Sequence, residues 1–137
     1  MKLRIRGNSI RLRLTKIDIA QFVATGSVEE RVEFGFATPA LCYRLERMTD
    51  EDTTRSRFND NCLSISVRAA DADNWIKSEQ VSIEASQPIG DNKVLRILVE
   101  KDFACLEERV GEDDSDAFTN PLAANIAKKI DFAEDLL

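Results

Sequence analysis

Apolar and polar residues alternate from the start of the chain. Leu3 and Ile5 interleave with Lys2, Arg4 and Arg6, then Ile10, Leu12 and Leu14 interleave with Arg11 and Arg13. A period of two predicts extended strand with one face buried. The apolar parity switches between Ile5 and Ile10, which a strand cannot do without a turn or bulge, and Gly7-Asn8 tolerates positive φ. A hairpin and a long bulged strand both satisfy the pattern. Thr15 and Asp18 have capping-box spacing, and Ile19, Phe22 and Val23 share a helical face, so a short helix is expected to about Thr25, stopping at Gly26.

Strand signals resume with Val28, Val32, Phe34 and Phe36 on one parity and Glu29, Arg31 and Glu33 on the other, predicting one buried and one wet face. Beyond Pro39, Leu41, Tyr43 and Leu45 alternate with Arg44 and Glu46. Residues 49–61 are polar and patternless, the expected long exposed loop. Leu63, Ile65 and Val67 form the next strand. Asp71 is placed as the cap of a short helix holding Trp75 and Ile76, and Val81 and Ile83 open another strand. Gly90-Asp91-Asn92 then turns the chain into Lys93 to Lys101, the most apolar strand. The acidic stretch 107–117 reads as a loop, and Pro121 opens a C-terminal helix over 121–135 with Leu122, Ile126, Ile130 and Ala133 as its apolar stripe.

Two of these stretches, 9–47 and 62–100, correspond at a fixed offset of 53 residues: Ile10 with Leu63, Leu12 with Ile65, Leu14 with Val67, Asp18 with Asp71, Phe22 with Trp75, Val23 with Ile76 and Val28 with Val81. Such a pattern suggests a duplicated β-α-β-β unit. The expected fold is α+β, a single domain over 1–137 with an antiparallel sheet of about seven strands, curled or barrel-like, two short helices and the C-terminal helix.

With 137 residues, 43% hydrophobic and 32% charged, the composition is that of a globular chain and excludes collagen-like or wholly disordered polymers. There is no apolar run of membrane-spanning length, and the charged N-terminus lacks a signal-peptide core, so a cytoplasmic location is expected. The absence of histidine excludes Ser-His-Asp and Cys-His catalysis and histidine-ligated zinc. Cys42, Cys62 and Cys105 lack metal-site spacing and read as buried or idle thiols. The net charge of −6 hides a segregation: residues 1–16 carry six basic residues and no acid, whereas residues 100–118 carry eight acids against two bases. The acidic balance argues against nucleic acid as a partner.

The stretch Lys2-Leu3-Arg4-Ile5-Arg6-Gly7-Asn8-Ser9-Ile10-Arg11-Leu12-Arg13-Leu14, with Asp102-Phe103-Ala104-Cys105-Leu106, Glu112-Asp113, Asp116, Phe118 and Asn120-Pro121, resembles a family of short uncharacterised bacterial proteins, a domain of unknown function. The resemblance implies a small bacterial cytosolic protein and brings no activity or cofactor. A more distant architectural similarity is to triphosphate-tunnel enzymes of the adenylate-cyclase and thiamine-triphosphatase type. Those enzymes open with a Glu-x-Glu-x-Lys strand, for which this chain has Lys2-Leu3-Arg4-Ile5-Arg6; Glu29, Arg31 and Glu33 share a strand face elsewhere.

The leading candidate site is therefore the basic set Arg4, Arg6, Arg11 and Arg13, because guanidiniums clustered on adjacent strands repel unless an anion or carboxylates lie among them. The expected function is a non-catalytic binding module whose basic face meets a phosphate-type anion or an acidic protein segment. No catalytic residue and no cofactor are assigned. The alternative is a metal-dependent tunnel-type phosphohydrolase acting on a polyphosphate or nucleotide, with magnesium on Glu29, Glu33 or Glu84. The dense acids around Glu112 read as a solvated loop, and the apolar stripe of the C-terminal helix leaves a homodimer open.

Overall fold

The chain divides after Phe103, and the computed structural model describes residues 1–103. The expected acidic loop 107–117, the helix 121–135 and Cys105 lie outside the described residues. Eight strands and two helices follow in the order β1 (Lys2–Ile5), β2 (Ser9–Leu14), α1 (Lys16–Thr25), β3 (Ser27–Val32), β4 (Leu41–Met48), β5 (Arg55–Asn59), β6 (Cys62–Arg68), α2 (Ala69–Lys77), β7 (Ser82–Gly90) and β8 (Lys93–Lys101).

The α+β class holds, but the single seven-stranded antiparallel sheet does not form. The strands divide into two four-stranded mixed sheets, ordered β1-β2-β8-β7 and β3-β4-β6-β5, and neither closes into a barrel. The first half of the described chain is β-β-α-β-β and so is the second, and each sheet takes one hairpin from one half and the last two strands from the other. The two halves meet in parallel seams, β2 beside β8 and β4 beside β6, whereas all other pairings are antiparallel. Alternation identifies strands without naming their neighbours. Each helix here carries the chain out of one sheet and into the other, which is why one continuous sheet gives way to two.

The Leu3 and Ile10 patterns resolve as a hairpin, with Leu3 opposite Leu12 and Ile5 opposite Ile10. A strand also lies inside the expected loop 49–61. Its hairpin turns at Asp60 and Asn61, both at positive φ, the geometry of a tight turn between twisted strands. Arg55–Asn59 is an edge strand with β6 as its only strand partner, its other side meeting the Gln87 side chain at Ser56, so its polar sequence carries no core pattern.

The core lies between the sheets. Leu12 and Leu14 of β2, Ile97 and Val99 of β8, Leu45 of β4, and Ile65 and Val67 of β6 are buried, as are Phe22 of α1 and Trp75 of α2. Val28 packs with this cluster, but Phe34 and Phe36 are exposed, Phe36 fully. β3 ends at Val32 and the chain bends through Gly35 and Ala37 at positive φ, so the alternating parity outruns the strand. Val28 faces Leu45 in one sheet, and in the other sheet Ile83, two residues beyond Val81, faces Val99.

Helix α1 begins with a complete capping box. Thr15 Oγ1 accepts from the Asp18 amide, and Asp18 Oδ2 accepts from the Thr15 amide at 2.9 Å. Its end is Gly26 at φ 81°, a left-handed cap that a side chain would strain. Helix α2 differs from expectation: Arg68 stands at its N-cap, and Asp71 lies in the first turn, paired with the Arg68 guanidinium at 2.9 Å.

Burial alone would raise the Asp18 carboxyl, but the Met1 ammonium at 2.8 Å and the Thr15 amide and hydroxyl hold it below its ordinary 3.8. A depressed folded-state value gives stability that is present above 3.8 and lost as pH falls through the folded value. Asp18→Asn is therefore expected to lower unfolding free energy at neutral pH by about 0.5–2 kcal/mol, the range for lost caps. In chemical denaturation the gap between variant and wild type should narrow in acid; an unchanged gap would show that the carboxylate charge is irrelevant.

Candidate functional site

Pairing register puts the sequence-predicted arginines in rows across the outer face of the β1-β2-β8-β7 sheet. One row reads Arg4, Arg11, Leu98, Glu84; the next reads Lys2, Arg13, Glu100, Ser82; a third reads Ser9, Arg96, Ser86. Their positions follow from the inward parity of Leu12 and Leu14, which turns Arg11 and Arg13 outward. Arg4 lies directly opposite Arg11, and Lys2 opposite Arg13. Like charges so placed repel.

Part of that charge is matched from within the same sheet. Arg13 Nε donates to Glu100, whose Oε1 is also 3.9 Å from Arg11 Nε, and Lys2 Nζ lies 3.5 Å from Asp102. Glu100 was not legible as a partner because its placement depends on the parallel seam between strands from opposite halves. None of Arg4, Arg11 and Arg13 is without a partner. Arg6 stands apart in the β1-β2 turn, where its amide donates to the Ser9 carbonyl at 3.1 Å.

A concavity of about 510 Å³ opens on this face, lined by Ser9, Arg11, Glu84, Ser86, Arg96 and Leu98 among others. It brings Arg11 together with Arg96, Ser9 and Ser86, which sequence reasoning did not single out. Arg96 was readable only as a polar position within the most apolar strand. Of the three carboxylates considered for magnesium, Glu84 lines the concavity. Glu29 belongs to β3 in the other sheet, and Glu33 is an exposed residue beyond the end of that strand.

The outer face of the β3-β4-β6-β5 sheet repeats the row plan with different chemistry. Arg57, Ser64, Arg44 and Glu29 occupy one row, and Cys62, Cys42 and Arg31 another. The Arg44 guanidinium donates to Glu29 through Nε at 3.1 Å and through a second nitrogen, and to Glu46 at 3.1 Å. These bonds raise Arg44 above its usual value, and the Arg44 and Cys42 bonds hold the Glu29 carboxyl below its own. Cys42 and Cys62, remote from one another in sequence, face each other across the parallel seam.

Among the described residues no helix is long and apolar enough to cross a membrane. The chain belongs to DUF7009, a family of unknown function whose model matches residues 1–122. Comparison with curated proteins and with solved structures returned no match.

Proposed function

We propose that the chain is a small cytoplasmic binding module, without chemistry of its own, that takes a compact phosphate-type anion on the outer face of its β1-β2-β8-β7 sheet. The observation that carries this reading is the concavity in which the Arg11 and Arg96 rows meet, flanked by Ser9 and Ser86. Two guanidiniums offer forked donors suited to phosphate oxygens, and two hydroxyls add rotatable donors. The volume lies within the range of about 300–1,000 Å³ common to small-ligand sites. Glu84 at one margin disfavours a polyanion that fills the whole cavity. The matched row plans of the two sheets further support descent of the two halves from one duplicated unit.

Thermal unfolding with phosphate, pyrophosphate, tripolyphosphate, a nucleoside triphosphate and an acidic peptide, each with and without magnesium, tests the proposal. A ligand that binds only the native state raises the melting temperature. The expected result is a rise with one or more phosphates that disappears in Arg11→Ala/Arg96→Ala. A response confined to the acidic peptide would make the face a protein-docking surface instead. Magnesium-dependent phosphate release would establish the hydrolase alternative, and no response to any anion would end the anion reading.

A further inference from the structure

The outer face of the second sheet carries a separate cluster. Cys42 of β4 and Cys62 of β6 are register partners on adjacent parallel strands, and Glu29 reaches them from β3. Cys42 Sγ donates to Glu29 Oε1 at 3.1 Å, and the two sulfurs and a Glu29 oxygen all lie within 4.8 Å of one another. In a tetrahedral zinc site, bonds of about 2.3 Å to sulfur and about 2.0 Å to oxygen place donors roughly 3.5–3.8 Å apart. Small rotamer adjustments of the three side chains therefore close the cluster on one ion.

We propose that Cys42, Cys62 and Glu29 form a binding site for a thiophilic divalent cation of the zinc class. The two soft thiolates select such ions over magnesium or calcium, and zinc also accepts a carboxylate oxygen. Binding replaces both thiol protons: one cation enters, two S–H bonds break, two metal–sulfur bonds form, and two protons pass to the buffer. A water completes the fourth position. The three ligand charges exceed the cation's by one, and Arg44, already on Glu29, supplies the balancing charge, since a carboxylate has lone pairs for both. Because the cation displaces two thiol protons, its uptake should weaken as pH falls.

The site is read with cobalt(II) as a probe for the zinc class, added to the reduced full-length protein under anaerobic conditions. The expected result is a thiolate-to-cobalt charge-transfer band with the intense visible bands of a tetrahedral site, bleached by one equivalent of zinc. Two protons should be released per ion, and two of the three thiols should resist alkylation. Cys105→Ser should leave the spectrum unchanged, and Cys42→Ser or Cys62→Ser should abolish it. Glu29 is exposed, so Glu29→Gln keeps the test valid even if a cysteine variant fails to fold. It should weaken cobalt binding by at least about tenfold, the scale at which even outer-shell partners act. Absence of the charge-transfer band, a band that survives loss of Cys42 and Cys62, or a reduced protein that forms a Cys42–Cys62 disulfide in air yet takes up no cobalt would each overturn the assignment.

Discussion

Trp75→Ala is expected to lower the unfolding free energy by about 3–5 kcal/mol, the range for removing a large buried aromatic. The side chain is fully buried in the shared core, its Nε1 donates to the Val81 carbonyl at 3.0 Å, and Lys101 Nζ sits 5.8 Å above its ring. Truncation leaves a cavity where both sheets meet and removes one of two donors to the Val81 carbonyl, which keeps the Lys101 amide at 3.1 Å. For about 100 residues, each kcal/mol moves the melting temperature by roughly 4–8 °C, so a fall exceeding about 12 °C should be seen by circular dichroism. Trp75→Phe restores most of the apolar volume without the donor and should cost less, with about 0.5–1.5 kcal/mol for the lost hydrogen bond. Phe22 occupies the corresponding place on α1 and is 1% exposed. Phe22→Ala should therefore fall in the same range as Trp75→Ala, and Trp75, the only tryptophan, reports its unfolding by fluorescence. A loss below about 1 kcal/mol at either position would refute the shared core.

Cutting the chain in the 49–54 connection should have a larger effect. Neither 1–51 nor 52–137 alone should unfold cooperatively at low concentration, and mixing the two should restore the native circular dichroism spectrum. Each sheet owes two strands to each half. Separation leaves β2, β4, β6 and β8 with one bonded edge and exposes Leu12, Leu45, Ile65 and Val99, all buried in the intact chain. Each half is a β-β-α-β-β fragment whose two strand pairs belong to different sheets, and with so little apolar surface left to bury it has no core on which to fold alone. A sharp thermal transition in either isolated half would show that the parallel seams are not what holds the structure together.

Local chemistry was legible in the sequence and pairing was not. The capping box of Thr15 and Asp18, the stop at Gly26, the turn at Asp91 and Asn92 and the inward parity of Ile10, Leu12 and Leu14 are each decided within a few residues. Arg55–Asn59 escaped detection because an edge strand with one ordinary face needs no alternating pattern. Phe34 and Phe36 misled because parity does not reveal where a strand stops. The candidate sites divide in the same way. That Arg11 and Arg13 point outward follows from their neighbours. That Arg13 meets Glu100, that Arg96 joins Arg11, and that Cys42 faces Cys62 all follow from parallel seams joining distant segments, for which the chain carries no local signal.

The β2-β8 seam also bears on how the protein is made. Ser9 pairs with Arg96 and Leu14 with Lys101, so the first hairpin cannot complete its sheet until the chain has been synthesised past β8. Contacts of such long sequence separation slow folding, because loop closure must precede the burial that rewards it. On the ribosome, β1 and β2 emerge first and wait longest, holding an unbonded edge with the apolar face of Ile10, Leu12 and Leu14 beside it. The outward Arg11 and Arg13 place like charge along that edge, the feature by which edge strands in general resist pairing with another chain.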